Sequence, residues 1–164
     1  MPDTEIRGGY IPGSIGRVAE LHGTYYQQHL GFGLFFEAKV ATELAEFLER
    51  YDQQRDGFWT ALLGGRIEGS IAIDGRHAGD EGAHLRWFIM SDALRGRGVG
   101  RQLIDTAIGF CRGRGYRRVY LWTFEGLDAA RHLYENIGFQ LVGQQKGSQW
   151  GTEVTELRFD LRLG

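Results

Sequence analysis

Hydrophobic residues recur along this chain at two spacings, and each spacing predicts one kind of element. Between residues 35 and 51 they return every three or four positions, which is the period of an amphipathic helix. Two short apolar runs at 58–63 and 66–73 flank Gly64-Gly65, a pair typical of a β-hairpin turn. The same analysis of the whole chain predicts helices at 14–28, 35–51, 100–112 and 127–136, and strands at 6–10, 58–63, 66–73, 83–90, 118–123, 139–145 and 153–161. The order β-α-α-β-β-β-α-β-α-β-β indicates an α/β fold with a mixed sheet.

Size and composition fit one globular domain, which we place at residues 5–161. Hydrophobic residues are 42% and charged residues 24% of the 164 positions, as in ordinary globular domains. No apolar run has the length of a membrane span, and the N-terminal Met-Pro-Asp-Thr-Glu is polar rather than a secretory signal. The single cysteine, Cys111, excludes an internal disulfide and lies on the apolar face of a predicted helix. We therefore expect a cytoplasmic protein with no membrane contact and a buried Cys111 thiol.

Charge is distributed unevenly, although the formal net charge is only −2. Residues 95–118 carry seven arginines and one acidic residue, Asp105. Residues 1–92 carry eight basic and fourteen acidic residues. This asymmetry predicts a local polyanion site on a chain that otherwise favours cations.

The segment 95–100 reads Arg-Gly-Arg-Gly-Val-Gly and directly precedes the helix predicted at 100–112. Alternating glycines let the backbone turn tightly, and the first N–H groups of a helix have no acceptor within it. These N–H groups, the positive end of the helix dipole and two arginines together favour a bound anion. The segment therefore predicts a site for a phosphorylated ligand.

Three familiar nucleotide-binding patterns do not fit this segment. Arg101 and Gln102 follow the last glycine, in place of the lysine and hydroxyl residue of a P-loop. The Gly-x-Gly-x-Gly spacing departs from the dinucleotide fingerprint, and Tyr-Leu-Trp at 120–122 stands where that fingerprint has an acidic residue. RNA-binding arginine–glycine segments are longer and disordered, whereas this one joins a predicted strand to a predicted helix. The pattern thus argues against a nucleic-acid partner.

The spacing of Arg95, Gly98 and Gly100 resembles the Arg/Gln-x-x-Gly-x-Gly/Ala coenzyme A loop of the GNAT superfamily of acyl-CoA N-acyltransferases. The block Asp-Ala-Ala-Arg-His-Leu-Tyr-Glu-Asn-Ile-Gly-Phe at 128–139 resembles the same family's Ala-x-x-Leu-Tyr-Glu-x-x-Gly-Phe helix and strand. Both blocks stand in the family's order and separation, and the predicted element order matches the GNAT fold. More narrowly, the chain resembles the acetyltransferase half of MarR-like fusion proteins, with no room in its 164 residues for the DNA-binding half. Glu125-Gly126 is a departure, because many relatives carry a cofactor-binding asparagine there.

The resemblance implies an N-acetyltransferase that uses acetyl-CoA and accepts a small-molecule or peptide amine. It implies that the pyrophosphate lies on the glycine-rich turn. It also implies that strand 83–90 splays from strand 118–123 to take the pantetheine arm, with the N–H of Phe88 facing the thioester oxygen. The implied cofactor-binding residues are Phe88, Ile89, Met90, Arg95, Gly96, Arg97, Gly98, Val99, Gly100, Arg101 and Arg131.

Acyl transfer to an amine needs a proton donor for the leaving thiolate and a way to deprotonate the amine. By resemblance Tyr134 is the proton donor, and the alternative is a core tyrosine. His84 occupies the position of a catalytic glutamate in several relatives, and Glu81 acting through water is the second candidate base. Many relatives have no dedicated base, so neither residue is required.

In this family the first two helices usually form a wall of the acceptor site. The candidate acceptor residues are His22, Tyr26, Glu37 and Trp122. We predict no metal, because the histidines and Glu37 in these helices lack a tight ligand spacing. Exposed strands near 139–161 predict a homodimer. The alternative to an enzyme is a non-catalytic acyl-CoA-binding regulatory module.

Overall fold

A computed structural model of the chain describes residues 3–164. Its elements agree in type and order with the sequence prediction, and their ends differ from it by at most a few residues. The strands are β1 (Thr4–Gly8), β2 (Gly57–Leu63), β3 (Arg66–Asp74), β4 (Ala83–Met90), β5 (Arg118–Phe124), β6 (Gln140–Gly147) and β7 (Val154–Arg162). The helices are α1 (Ser14–Leu30), α2 (Leu34–Glu49), α3 (Val99–Gly113) and α4 (Asp128–Ile137), with a short 3₁₀ turn at Asp92–Leu94 between the strand and helix predicted at 83–90 and 100–112.

The strands form one seven-stranded sheet in the order β1-β2-β3-β4-β5-β7-β6. Neighbouring strands are antiparallel except β4 and β5, so the sheet is mixed, as predicted. The β2–β3 hairpin turns at Gly64 and Gly65, whose φ angles of 57° and 82° are the values a tight hairpin requires. No helix among residues 3–164 is long and apolar enough to span a bilayer.

One face of the sheet carries α3 and α4. Leu103, Ile104 and Ala107 of α3 are fully buried against strand residues such as Leu121 and Phe159. Burial of each large apolar side chain stabilises the fold by about 1.5–3 kcal/mol, so this face holds much of the core. Cys111 is fully buried in the same cluster, which confirms its prediction as a structural thiol.

The opposite face carries α1 and α2, which cover only part of the sheet. Their core residues, among them Leu44 and Phe47, pack with Phe58 and Trp87 of β2 and β4. On β5, by contrast, Trp122 is still 40% exposed on this face. The helices therefore leave a recess over β5 and β7, and that recess becomes part of the site described next.

Candidate functional site

The glycine-rich turn enters α3 through residues in the left-handed conformation. Gly96 and Gly98 have φ angles of 76° and 71°, which glycine adopts without strain. Gly98 is the N-cap of α3, and as a glycine it makes no side-chain cap hydrogen bond at this end. The N–H groups of the first helical turn therefore face outward without an intrahelical acceptor. The N–H of Arg97 differs, since it donates to the carbonyl of Leu94 at 3.3 Å.

Gly100 lets the start of α3 approach β4 and α4 closely. A Cβ at this position would lie 3.0 Å from Sδ of Met90 and 3.5 Å from Cδ2 of Leu133. All three residues line one cavity. The missing side chain therefore keeps that cavity open up to the helix N-terminus.

A β-bulge interrupts β4 at Trp87. Its φ of 50° is the one positive value found for a non-glycine residue among the described positions, and the register with β3 shifts between Ser70 and Ala72. The buried hydroxyl of Ser70 donates to the Trp87 carbonyl at 2.6 Å. The extra residue places the side chains of Arg86 and Trp87 on the same face, toward α2, and returns Phe88 to the α3 side.

Strands β4 and β5 separate soon after they begin. Their parallel pairing joins Ala83 to Val119 and His84 to Tyr120, which confirms the predicted splay. At the far end of β4, the N–H of Ser91 donates to the Glu68 carbonyl on β3. Because backbone groups alternate in direction along a strand, the N–H groups of Phe88 and Met90 point the other way, into the gap. The gap thus offers hydrogen-bond donors along one edge.

One cavity, the α4 cavity, lies in this gap beneath the start of α3 and has a volume of about 220 Å³. Its walls come from α1, β4, the first turn of α3, β5 and α4. The lining residues are Tyr25, Tyr26, Phe88, Ile89, Met90, Gly100, Thr123, Leu127, Ala129, Ala130, Leu133 and Tyr134. Three predicted cofactor residues of β4, one from α3 and Tyr134 therefore meet in a single apolar channel.

A second cavity, the α2 cavity, occupies the recess on the opposite face and has a volume of about 190 Å³. It is lined by His22, Tyr26, Phe36, Lys39, Val40, Glu43, His84, Leu85, Arg86, Trp87, Trp122, Thr123, Phe124, Trp150 and Glu156. A narrow connecting cavity of about 60 Å³ lies between the two and includes Phe88 and Tyr134. Tyr26 and Thr123 line all three spaces, so the gap between β4 and β5 joins the two sides of the sheet.

The connecting cavity is called the junction from here on. Burial fixes the protonation of the side chains that line it. Desolvation raises the pKa of Tyr134 far above its ordinary value, so the phenol keeps its proton at neutral pH. The same cause raises the pKa of Tyr26. Desolvation lowers the pKa of His22 to about 4, and its Nδ1 lies 2.8 Å from the Val18 carbonyl. In the neutral ring Nδ1 carries the proton that this hydrogen bond requires, which leaves Nε2 with its lone pair.

The two candidate bases lie apart from each other. His84 lines the α2 cavity and stacks on Tyr120 with ring centroids 4.5 Å apart. Burial, reinforced by the charge of Arg86, lowers the pKa of His84 to about 3, so the ring is neutral but weakly basic. Glu81 is exposed in the turn before β4 and lines neither main cavity. Burial, together with the charge of Glu81, raises the pKa of Tyr120 to about 12.

The predicted arginines are placed outside the α4 cavity. Arg95 is 80% exposed and pairs with Asp92 at 2.7 Å, and Arg101 pairs with Asp105 at 3.1 Å. Arg131 lies over the Phe159 ring and 3.5 Å from Glu135. Arg95 and Arg101 stand on either side of the α3 N-terminus in sequence, whereas Arg131 is directed toward β7. A phosphate contact by Arg131 stays a prediction.

Two of the four predicted acceptor residues lie deep in the site and one lies outside it. His22 and Tyr26 are at the junction of the cavities, and Trp122 forms part of the α2 cavity wall. Glu37 is exposed and lies over Gly23, where a Cβ would contact its carboxylate. Among residues 3–164, no group of three or more His, Cys, Asp or Glu side chains is arranged to hold a metal ion.

Sequence reasoning missed the charged part of the α2 cavity. Lys39 and Glu43 form an i,i+4 pair on α2 at 2.6 Å, and Arg86 also pairs with Glu43. Glu156 reaches the cavity from β7. The spacing of Lys39 and Glu43 on a helix was a usable signal. Arg86 and Glu156 carried no comparable signal, because their orientation depends on the bulge and on the strand order.

Residues 18–139 match the model of the acetyltransferase (GNAT) family. That segment is well over half of the chain, and the chain belongs to this family. An N-acetylaspartate synthetase of Danio rerio is 30% identical over 122 residues, which are 73% of this chain and 43% of that protein. N-acetyltransferase 8 of Rattus norvegicus is 32% identical over 107 residues, which are 63% of this chain and 48% of that protein. The chain therefore spans about half the length of the curated relatives it matches.

Solved structures share the fold over nearly the whole chain. An acetyltransferase of Streptococcus agalactiae superposes with a TM-score of 0.76 at 20% identity and covers 98% of both chains. A Salmonella typhimurium protein described as an acetyltransferase, solved with its cofactor acetyl-CoA, superposes with a TM-score of 0.75 at 17% identity and covers 98% of this chain and 94% of that one. These likenesses establish the mixed α/β GNAT architecture.

Proposed function

We propose that this chain is an N-acetyltransferase that moves the acetyl group of acetyl-CoA to a primary amine by direct attack while both substrates are bound. The observation that carries the proposal is the gap between β4 and β5, which joins the α4 cavity to the α2 cavity. A donor bound on one side of the sheet and an acceptor bound on the other could meet only in this gap.

The α4 cavity fits the donor in shape and chemistry. Its walls are largely apolar, its β4 edge presents the N–H groups of Phe88 and Met90, and one end opens at the N-terminus of α3. A pantetheine arm has amide groups that suit such an edge, and a pyrophosphate suits the outward N–H groups from Gly98 to Arg101. Arg95 and Arg101 would add positive charge at the rim.

Acetyl-CoA supplies an acetyl group already activated as a thioester, so the protein's tasks are to position groups and move protons. The N–H of Phe88 would donate to the carbonyl oxygen, where negative charge develops. As the carbon–nitrogen bond forms and the carbon–sulfur bond breaks, one proton leaves the nitrogen and one joins the sulfur. Tyr134 is buried at the junction and protonated. We assign to Tyr134 the donation of the proton that joins the sulfur.

The group that accepts the proton from the amine stays open between His84, Glu81 and water. His84 lines the acceptor side, but its lowered pKa makes it a poor base. Glu81 lies outside both cavities and could act only through a chain of water molecules. A path to solvent through the α2 cavity would serve the same purpose without a dedicated side chain.

The test is to incubate the purified chain with acetyl-CoA and a panel of primary amines, following free thiol release and acetylated product by mass spectrometry. Amine-dependent thiol release with matching product supports the proposal. Binding of acetyl-CoA without turnover across the panel would favour the non-catalytic regulatory module. Absence of both binding and turnover would contradict both functions.

Three further expectations from the sequence stay predictions. They are a single domain over 5–161, a cytoplasmic location and a homodimer. The homodimer has some support in β6, because this edge strand exposes Leu141 and Val142.

A further inference from the structure

The charges around the α2 cavity are paired, with one exception. Glu43 neutralises Lys39 and Arg86, and Arg86 also lies 3.7 Å from Asp74. Asp74 in turn pairs with Arg50 at 2.7 Å. These groups form a closed network in which each cation has a carboxylate partner.

The exception is Glu156 of β7, a carboxylate with only 9% of its surface exposed. Trp150 Nε1 donates to it at 3.2 Å and Gln145 Nε2 donates at 3.3 Å, and both donors are neutral. No cation among residues 3–164 forms an ion pair with Glu156. The nearest arginine on the same strand face, Arg158, pairs with Asp160 and stacks on Tyr120 instead. A buried carboxylate without a cation is costly unless a ligand supplies the charge.

The walls beside Glu156 are suited to a cation. Trp150 packs edge-on against Phe124 at 5.5 Å and against Phe36 at 5.6 Å between ring centroids, so the three rings surround one end of the cavity. Aromatic faces attract ammonium groups, and the attraction grows where water is excluded. Lys39 already lies 5.8 Å from the centre of the Trp150 ring.

Glu156 lies at the end of the α2 cavity that is remote from the junction. It lines the α2 cavity but not the connecting cavity, which contains Phe88 and Tyr134. It sits on β7, opposite Phe124, one strand beyond the gap. A group held by Glu156 is therefore a different group from the nitrogen that enters the junction.

We propose that the acceptor is a diamine, with one amino group reacting at the junction and a second, cationic group bound by Glu156 at the end of the α2 cavity that the aromatic rings line. This inference rests on the proposed function and names the substrate class of the same site. An aliphatic ammonium has a pKa near ~10.4 and is charged at neutral pH, so the second group would arrive as the cation that the carboxylate lacks.

The experiment compares diaminobutane with butylamine, which has the same carbon chain but one amino group, on the wild-type chain and on Glu156→Gln. The wild type should have a kcat/KM for diaminobutane about tenfold or more above that for butylamine, which is the size of the effect measured for close charge pairs across interfaces. Glu156→Gln should bring the ratio close to one, because only the diamine carries a second group for the carboxylate to bind. The matched control is Glu153→Gln, because Glu153 is an exposed carboxylate just before the same strand, paired with Lys146.

Calorimetric binding of diaminobutane gives a readout that does not depend on turnover, and Glu156→Gln should weaken it by about tenfold. A ratio near one in the wild type, or a ratio that Glu156→Gln leaves unchanged, would overturn the assignment. Equal losses for both amines would also overturn it, because Glu156 would then bind the reacting nitrogen. Failure of the proposed function itself would appear separately, as an absence of acetyl-CoA binding or of thiol release with either amine in the wild type.

Discussion

At the scale of single residues, burial determines which protons are available at the site. Tyr134 keeps its phenolic proton at neutral pH, as an ordinary phenol does, and desolvation raises its pKa further, whereas desolvation lowers the pKa values of His22 and His84, so both imidazoles are uncharged. The junction therefore contains a proton donor and the neutral imidazole of His22 at pH 7, and the second neutral imidazole, that of His84, lies in the α2 cavity. This arrangement suits protonation of a leaving thiolate better than direct deprotonation of an ammonium.

Replacing the Tyr134 hydroxyl should affect chemistry rather than binding. Tyr134→Phe keeps the ring packed near Phe88 and Phe139, with centroids 6.1 and 5.8 Å away, so the cavity shape is retained. Loss of a general acid should lower kcat by about 100-fold, while the acetyl-CoA dissociation constant stays within a factor of about two. Thiol release and calorimetry measure the two quantities.

The matched control for this variant is Tyr116→Phe. Its hydroxyl donates to the Arg55 carbonyl at 2.8 Å, away from both cavities, so turnover should not change. Unchanged turnover in Tyr134→Phe would remove Tyr134 from the proton-donor role.

Buried His22 and half-buried His84 predict a loss of stability in acid. The unfolded chain protonates its histidines below about pH 6.5, whereas folded His22 and His84 resist protonation down to about 4 and 3. The unfolded state then binds more protons, so the free energy of unfolding should fall as pH drops from about 6.5 to about 4. For fully buried His22 this contribution is on the order of 3 kcal/mol.

Urea unfolding at several pH values measures how the free energy of unfolding changes with pH. His22→Asn should reduce this pH dependence between about pH 6.5 and 4 to the part contributed by His84, and exposed His132→Asn should leave it unchanged. Equal slopes in the wild type and in His22→Asn would show that His22 is not buried in its neutral form.

At the scale of elements, the bulge in β4 governs the site. One extra residue at Trp87 reverses the alternation of the strand, so Arg86 faces α2 while Phe88 faces the α3 side. The sequence predicted the ends of β4 but not the bulge, because a tryptophan at positive φ carries none of the usual glycine or asparagine signal. The glycine-rich turn was predictable for the opposite reason, because glycine is the residue typical of the positive φ angles that Gly96 and Gly98 adopt.

The hydrogen bond from Ser70 should hold this bulge in place. Ser70→Ala leaves the buried Trp87 carbonyl without its donor and should cost about 1–3 kcal/mol of stability. It should also weaken acetyl-CoA binding, because the N–H of Phe88 directly follows the bulge. Thermal unfolding and calorimetry report the two effects.

Thr60 offers a matched control on the facing strand. Its cross-strand partner is Ser70, and its buried Oγ1 is without a hydrogen-bond partner in the described part of the chain. Thr60→Val keeps the shape and should be neutral or stabilising. A Ser70→Ala variant as stable as Thr60→Val, with unchanged acetyl-CoA affinity, would rule out a role in positioning.

The first turn of α3 gives a second prediction for an element. Gly100→Ala places a methyl group 3.0 Å from Met90 Sδ and narrows the α4 cavity, so acetyl-CoA affinity should fall by about tenfold. Gly109→Ala is the control, because its Cβ would meet nothing within 4 Å in the same helix. That control should stabilise the fold by about 0.5–1 kcal/mol and leave affinity unchanged. Equal acetyl-CoA affinity in Gly100→Ala and Gly109→Ala would contradict the placement of acetyl-CoA in the α4 cavity.

At the scale of the whole molecule, the strand order brings together residues that are far apart in sequence. β7 lies between β5 and β6, so Glu156 comes to face the cavity that α2 also lines. Local periodicity predicted each of these elements. It could not predict that Glu156 and α2 line the same cavity, because the order of strands in the sheet is set by long-range pairing. The proposed donor-binding residues could be predicted from sequence, because they lie in two local motifs. The residues of the proposed acceptor side could not, because the strand order brings them together.

The central claim is that the gap between β4 and β5 binds an acyl-CoA donor. Titration of acetyl-CoA into the chain by isothermal calorimetry, followed by competition with free coenzyme A, tests it most directly. We expect saturable binding of one acetyl-CoA per chain, displaced by coenzyme A. Absence of any binding heat at millimolar acetyl-CoA would contradict it.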